Sequence, residues 1–187
     1  NGATFTMYGG NIYGNTCTYT GGTVNVCGTM YLYGGNIYDN SAYYAAGIYV
    51  MEGGRLEMSG GTVGSSDPAK GNVATSGGTC GVSTNGVFTM TGGSIINNTG
   101  VGVYVGSNGT FNVSGTVNIS GNKMDAAECN IKLAEDKTIT VAGPLNCTTP
   151  IGVVGKKDQV ITSGWRTYMG AADLDAYFES DTSNLYL

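Results

Sequence analysis

Residues 5–15 read Phe5-Thr6-Met7-Tyr8-Gly9-Gly10-Asn11-Ile12-Tyr13-Gly14-Asn15, and the same phrase returns down the chain. Its second copy is Met30-Tyr31-Leu32-Tyr33-Gly34-Gly35-Asn36-Ile37-Tyr38-Asp39-Asn40. A third runs Leu56-Glu57-Met58-Ser59-Gly60-Gly61-Thr62-Val63. The fourth is Phe88-Thr89-Met90-Thr91-Gly92-Gly93-Ser94-Ile95-Ile96-Asn97-Asn98, and the fifth starts Phe111-Asn112-Val113-Ser114-Gly115. Their first residues lie 25, 26, 32 and 23 positions apart. A recurring unit of this size means stacked supersecondary units.

Each phrase alternates large apolar and other residues, the period-two mark of a strand with one buried face. The glycine pair breaks the strand, and the isoleucine begins a second one. Apolar residues at i, i+3, i+4 and i+7, which an α-solenoid needs, are missing. Coiling two or three short strands per unit gives a β-solenoid, with neighbouring coils ~4.8 Å apart. The alternation predicts three interior columns. One holds Phe5, Met30, Leu56, Phe88 and Phe111; a second holds Met7, Leu32, Met58, Met90 and Val113; a third holds Ile12, Ile37, Val63 and Ile95. Asn15, Asn40, Asn98 and Asn122 recur at one bend, where stacked amides hydrogen-bond along a column.

Composition narrows the classes of function. Glycine supplies 33 of 187 residues, well above the usual ~7%, while proline supplies 3. Charged residues make up 11% and apolar ones 41%, too few and too many for a solvated disordered chain. Histidine is absent, which removes the commonest general base and metal ligand. A net charge of −5 argues against nucleic acid, whose phosphates call for a basic face. No apolar run approaches the ~20 residues of a membrane helix. The chain opens at Asn1, already close to a repeat, and reads as a piece of a longer protein.

Residues 1–122 form the regular repeats and 123–187 read as irregular C-terminal coils that close the same domain. Six charged residues precede position 121 and the other 15 of 21 follow it. Lys137–Val141 and Val153–Val154 look like strands, Pro144 and Pro150 mark turns, and Ala171–Phe178 is expected to form one short helix with Leu174 and Phe178 on one side.

The phrases Thr4–Asn15 and Val87–Asn98 resemble the phenylalanine-x-methionine-x-glycine-glycine-x-isoleucine-x-x-asparagine repeats of large secreted or wall-anchored bacterial surface proteins. They are also similar to the glycine-glycine and asparagine repeats of polymorphic autotransporter passengers. The likeness covers roughly residues 4–122, and 130–164 resembles segments that often close such regions. It implies a right-handed parallel β-helix, here of about seven coils, in an adhesin-like surface protein without shared catalytic residues. The tyrosine load of the first two coils departs from the pattern, which more often has serine or threonine there.

Nine of the 13 tyrosines lie in the first 50 residues, Tyr19, Tyr43, Tyr44 and Tyr49 among them. The alternation turns Tyr8, Tyr31 and Tyr33 outward, with Tyr13 and Tyr38 outward beyond the bend; Tyr8 should stack on Tyr33 and Tyr13 on Tyr38. Exposed aromatic rows suit sugar stacking or a protein contact. The plainer reading is a packing ladder covered by Ser41–Ala46. These five tyrosines are the candidate ligand-binding residues, with no catalytic residue, metal or cofactor assigned.

Cys17, Cys27, Cys80, Cys129 and Cys147 lack zinc-site spacing. Cys129 with Cys147 is the best-spaced disulfide candidate and Cys17 with Cys27 the next; burial as small core residues is the other reading. The rival function is a polysaccharide lyase or glycoside hydrolase of β-helix type, which needs paired carboxylates or a carboxylate–calcium–basic cluster. Asp39, Glu52, Glu57 and Asp67 are the acids of the repeats, with Arg55 the nearest base; Asp173, Asp175, Glu179 and Asp181 are a tail group with calcium-compatible chemistry. An ice-binding face is a third option, for which only Thr89 and Thr91 fit. The expectation is thus a non-catalytic extracellular or cell-surface bacterial segment. It would be a stiff stalk whose partner is a host or environmental glycan or surface protein, capable of end-to-end self-association.

Overall fold

A computed structural model of the chain describes residues 2–18, 21–76 and 78–181. Tyr19, the Gly77 of one glycine pair and the Cys80 side chain lie outside what is described. The chain winds into a parallel β-solenoid of about seven turns. The first side of each turn is Thr4–Met7, Thr29–Leu32, Arg55–Met58, then the leading halves of Val87–Ile96 and Thr110–Ser120, followed by Ile139–Asn146 and Thr162–Ser163. The second side is Asn11–Tyr13, Asn36–Tyr38, Thr62–Gly64 and the trailing halves of the two long strands. The third is Gly22–Val26, Ala45–Val50, Thr79–Thr84, Val101–Val105, Ile131–Leu133, Ile151–Val154 and Phe178–Ser180. Strands of successive turns pair in parallel.

The expected columns are the observed registers. Phe5, Met30, Leu56, Phe88 and Phe111 lie on one line, extended by Ile139. Met7, Leu32, Met58, Met90 and Val113 form the second, extended by Val141. Ile12, Ile37, Val63 and Ile95 continue to Ile119. All are buried except Phe5, 49% exposed on the first turn, and Ile12, half-buried there. The third side contributes a column of its own, Val24, Ile48, Val82, Val103, Ile131 and Val153. Together these fill one continuous apolar interior, the main stabilising term of such a fold.

The glycine pairs act as expected at the early bends. A side chain on Gly34 would meet the Tyr8 carbonyl oxygen at 2.4 Å, and Gly35 holds φ +91°, a region that favours glycine. In the fourth and fifth turns the strands run on across the corner, with a register shift between Met90 and Gly92.

The C-terminal part corrects three expectations. No helix spans Ala171–Phe178; the α-helix is Trp165–Met169, ended at Gly170 (φ +61°), and only Leu174–Ala176 makes a single 3₁₀ turn. Phe178 is instead fully buried and opens the last strand, opposite Ile151, because the interior needs a large side chain there. Pro144 lies inside the strand Ile139–Asn146 rather than at a turn. It falls where the pairing with the previous turn slips between Val141 and Leu145, so its missing N–H interrupts no ladder bond.

Along one corner runs a column of amides, buried from Asn40 onward. Asn15 donates Nδ2 to Asn40 Oδ1 (2.9 Å), Asn40 to Asn72 (3.0 Å), Asn72 to Asn98 (2.8 Å), Asn98 to Asn122 (2.8 Å) and Asn122 to Asn130 (3.0 Å). The same Oδ1 atoms accept the backbone N–H of the rung before. From Asn40 to Asn122 each Nδ2 also donates to a strand-end carbonyl, such as Asn98 to Val63 at 3.1 Å. Four of the six rungs follow from the recurrence in the sequence; Asn72 and Asn130 complete the column. Asp181 ends it by accepting the Asn130 N–H at 2.7 Å.

Candidate functional site

The five singled-out tyrosines stand on two adjacent sides of the first two turns. Met30 and Leu32 are buried, so Tyr31 between them and Tyr33 after them project outward. Tyr8 follows the buried Met7 in the same way. Tyr8 and Tyr33 stack with centroids 5.2 Å apart at 25°, and Tyr31 stacks with Tyr33 at 5.9 Å and 10°. Across the glycine bend Tyr13 and Tyr38 stack at 5.3 Å and 4°. Tyr8, Tyr13 and Tyr33 are 78%, 58% and 45% exposed; Tyr31 and Tyr38 are half-buried. Ser41–Ala46 does not cover them. Ser41–Ala42 is a corner strand, and Ala42, Ala45 and Ala46 are buried in the interior, because small apolar side chains at inward positions draw this segment into the wall.

Ring stacking between turns has a consequence for recognition. The partners lie one turn apart along the solenoid axis, so their faces meet each other and their edges and hydroxyls point outward. An open aromatic face is available only where a stack ends. The Tyr13–Tyr38 stack ends at the third turn, where Val63 pairs with Ile37 and Gly64 therefore follows opposite Tyr38. Gly64 cannot carry a side chain: its φ is +110°, and a Cβ would lie 1.8 Å from the Ile96 carbonyl oxygen. At that position Gly64 thus sets no side chain beside the Tyr38 ring.

Beyond Gly64 the chain leaves the solenoid as a short insertion. Asp67 caps a 3₁₀ turn at Pro68–Lys70, its carboxylate accepting the Ala69 N–H at 3.1 Å. The insertion and the second side enclose a groove of about 400 Å³, to which Asn36, Tyr38, Thr62, Gly64, Asp67 and Lys70 contribute. Asn36 donates Nδ2 to Asn11 Oδ1 at 2.9 Å, forming a short amide row on the floor. The stacked tyrosines were legible from alternation; this groove was not. Its one signal is the spacing of 32 between the third and fourth phrases.

Among the described residues, the other acids weighed for the rival reading are engaged at separate places. Glu57 is ion-paired with Arg55 at 2.5 Å. Glu52 accepts from Asn108 at 3.3 Å, and Asp39 occupies a turn position at φ +53°. Asp173 caps the Leu174–Ala176 turn while Asp181 sits on the amide column, so the tail acids serve two different places. Burial pushes the Asp181 carboxyl above its usual range, against the pull of the Asn130 N–H, and the charges of Glu128 and Glu179 push the same way as burial.

Neither candidate disulfide pair is joined. Cys129 and Cys147 are separate thiols, and Cys27 is an exposed thiol 3.1 Å from Met51 Sδ. Cys129 is buried, and that burial pushes its pKa to about 11, which makes it a poor thiolate. Cys147 and Cys17 are half-buried.

No protein-family model, no curated protein and no solved structure matches the chain.

Proposed function

We propose that this β-solenoid is a non-catalytic, adhesin-like segment of an extracellular or cell-surface bacterial protein. It serves as a stiff stalk, and its first two turns carry a tyrosine-rich face for a glycan or a surface protein. The observation that carries the reading is the exposure of stacked Tyr8, Tyr13 and Tyr33. At the register of Tyr31 the later turns hold Glu57, Thr89 and Asn112, which is what a solvated sheet face requires. Aromatic rings left in water at three positions are unfavourable unless something covers them. Tyrosine suits such a surface because it offers a large amphipathic contact area at little cost in side-chain entropy. The bacterial surface setting is supported by the likeness of the phrases to adhesin-type repeats.

The test is an array of glycans and extracellular-matrix proteins probed with the 187-residue chain. A variant with Tyr8, Tyr13, Tyr31, Tyr33 and Tyr38 all replaced by serine is run beside it. The expected result is one class of partner bound by the native chain and lost by the folded variant. Binding that survives the five replacements would remove the tyrosine face from the proposal.

A further inference from the structure

We propose that Tyr38 is the platform of a subsite for a single neutral pyranose ring, with Asn36 and Asp67 meeting its hydroxyls. The proposal deepens the glycan branch of the reading above and rests on it. Of the five tyrosines, Tyr38 lines the groove and so stands beside its polar wall. Tyr13 covers one side of its ring at 5.3 Å, and on the other side Gly64, which cannot carry a side chain, lines the same groove. A pyranose presents a face of C–H bonds of weak positive character, which suits the negative face of an aromatic ring.

The groups around the ring are those that read hydroxyls. Asn36 spends one Nδ2 hydrogen on Asn11, which leaves its carbonyl oxygen and second hydrogen for a ligand. Asp67 uses Oδ1 on the Ala69 N–H, which leaves Oδ2 as an acceptor. Thr62 adds a hydroxyl to the floor. A small set of placed polar groups beside one ring is the composition of a small-molecule site, and about 400 Å³ falls in the lower part of the usual size range. A protein hot spot would instead need a desolvated apolar anchor pocket.

Charge selects the kind of sugar. Asp67 and Lys70 stand on the same wall with opposite signs, so the groove has no net attraction for a uronate or another acidic ring. The wall is also held in place before binding. Asn97 Nδ2 donates to the Ser65 carbonyl at 2.8 Å, and the Asp39 N–H donates to the Lys70 carbonyl at 2.9 Å. Both ends of the insertion are therefore tied to neighbouring turns, which lowers the ordering cost of binding.

The experiment is calorimetry and saturation-transfer NMR on the full chain. The probes are soluble oligosaccharides of glucose, mannose, galactose and N-acetylglucosamine. At least one is expected to bind. Tyr38→Ala should weaken it by about tenfold or more, and Tyr38→Phe, which keeps the ring, by no more than about threefold. Thr62→Trp, which keeps Tyr38 but fills the groove, should abolish binding. Thr89→Ala, on the outward face of the fourth turn away from the tyrosines, should leave it unchanged. Binding lost on replacing both Tyr8 and Tyr33 by alanine but kept in Tyr38→Ala and Thr62→Trp would overturn the subsite while the tyrosine face stood. Failure of every oligosaccharide to bind at millimolar concentration would also overturn it, and the protein arm of the array would then decide the wider reading.

Discussion

Asn122 donates its side-chain amide to Asn130 Oδ1 at 3.0 Å, although the two residues are only 8 positions apart. Every earlier rung of the column is separated from the next by at least 24 residues. The reason is the antiparallel hairpin of Lys123–Met124 with Ala127–Glu128, which loops out of the fifth turn. Its two central residues, Asp125 and Ala126, hold φ +51° and +67°, as a tight hairpin turn requires. One turn of chain thus supplies two successive rungs.

The column predicts a gradient of mutational cost. Asn98→Ala strips partners from the Val63 carbonyl, from Asn122 Oδ1 and from both the N–H and Nδ2 of Asn72. These groups are buried, so the loss should be roughly 2–5 kcal/mol. Asn15→Ala, at the exposed first rung, should cost under about 1 kcal/mol. Urea unfolding of the two variants checks the ordering, and equal losses would show that the column adds no stability in the interior.

Phe88 is fully buried and stacks on Phe111 with centroids 4.9 Å apart. Phe88→Ala should lower stability by about 3–5 kcal/mol through the cavity left in the column. Thr89→Ala, at the next and outward-facing position, should cost less than about 0.5 kcal/mol. Chemical denaturation of both variants measures the contrast.

The tyrosine rows should contribute little to folding. Replacing Tyr8 and Tyr33 by alanine removes a surface stack worth about 0.2–1 kcal/mol per pair. Differential scanning calorimetry should therefore show a small shift. A loss of several kcal/mol would mean that the rings are structural and would undercut their role in recognition.

Acidification should favour the end of the amide column. Burial raises the Asp181 pKa above the ordinary value of 3.8. Its contribution to stability is then whole below that value and is lost as pH rises through the raised folded-state pKa. The stability of the native chain relative to Asp181→Asn should increase as pH falls from 7 toward 4, measured by urea unfolding at each pH. A constant difference would show that the carboxyl titrates as it does in the unfolded chain.

The first turn leaves Phe5 49% exposed beside the outer edge of the strand Thr4–Met7. An uncovered strand edge with an apolar residue is a template for pairing. The 187-residue chain is therefore expected to self-associate end to end, with sedimentation coefficients that rise with concentration. A monomer at all concentrations would exclude this contact.

The interior columns and the outward turn of the tyrosines follow from the amino-acid order alone. Period-two alternation assigns each side chain to a face, and the glycine pair that follows it in each of the first four phrases re-sets the count at that corner, so neighbouring turns inherit the same register. Tyr8 over Tyr33 and Tyr13 over Tyr38 are consequences of that local rule. Asn72 and Asn130 escaped it, because the Ser65–Gly71 insertion and the Lys123–Glu128 hairpin change the spacing. Only the hydrogen bonds of the folded chain place these two amides in the column. Phe178 escaped it for a related reason: its i, i+4 relation to Leu174 suggests a helix, but the interior position opposite Ile151 draws it into a strand. The groove beside Tyr38 was decided in the same way. It depends on which residue of another turn lies opposite the ring, and the backbone path of Gly64 past Ile96, not any pattern near Tyr38, makes that residue a glycine.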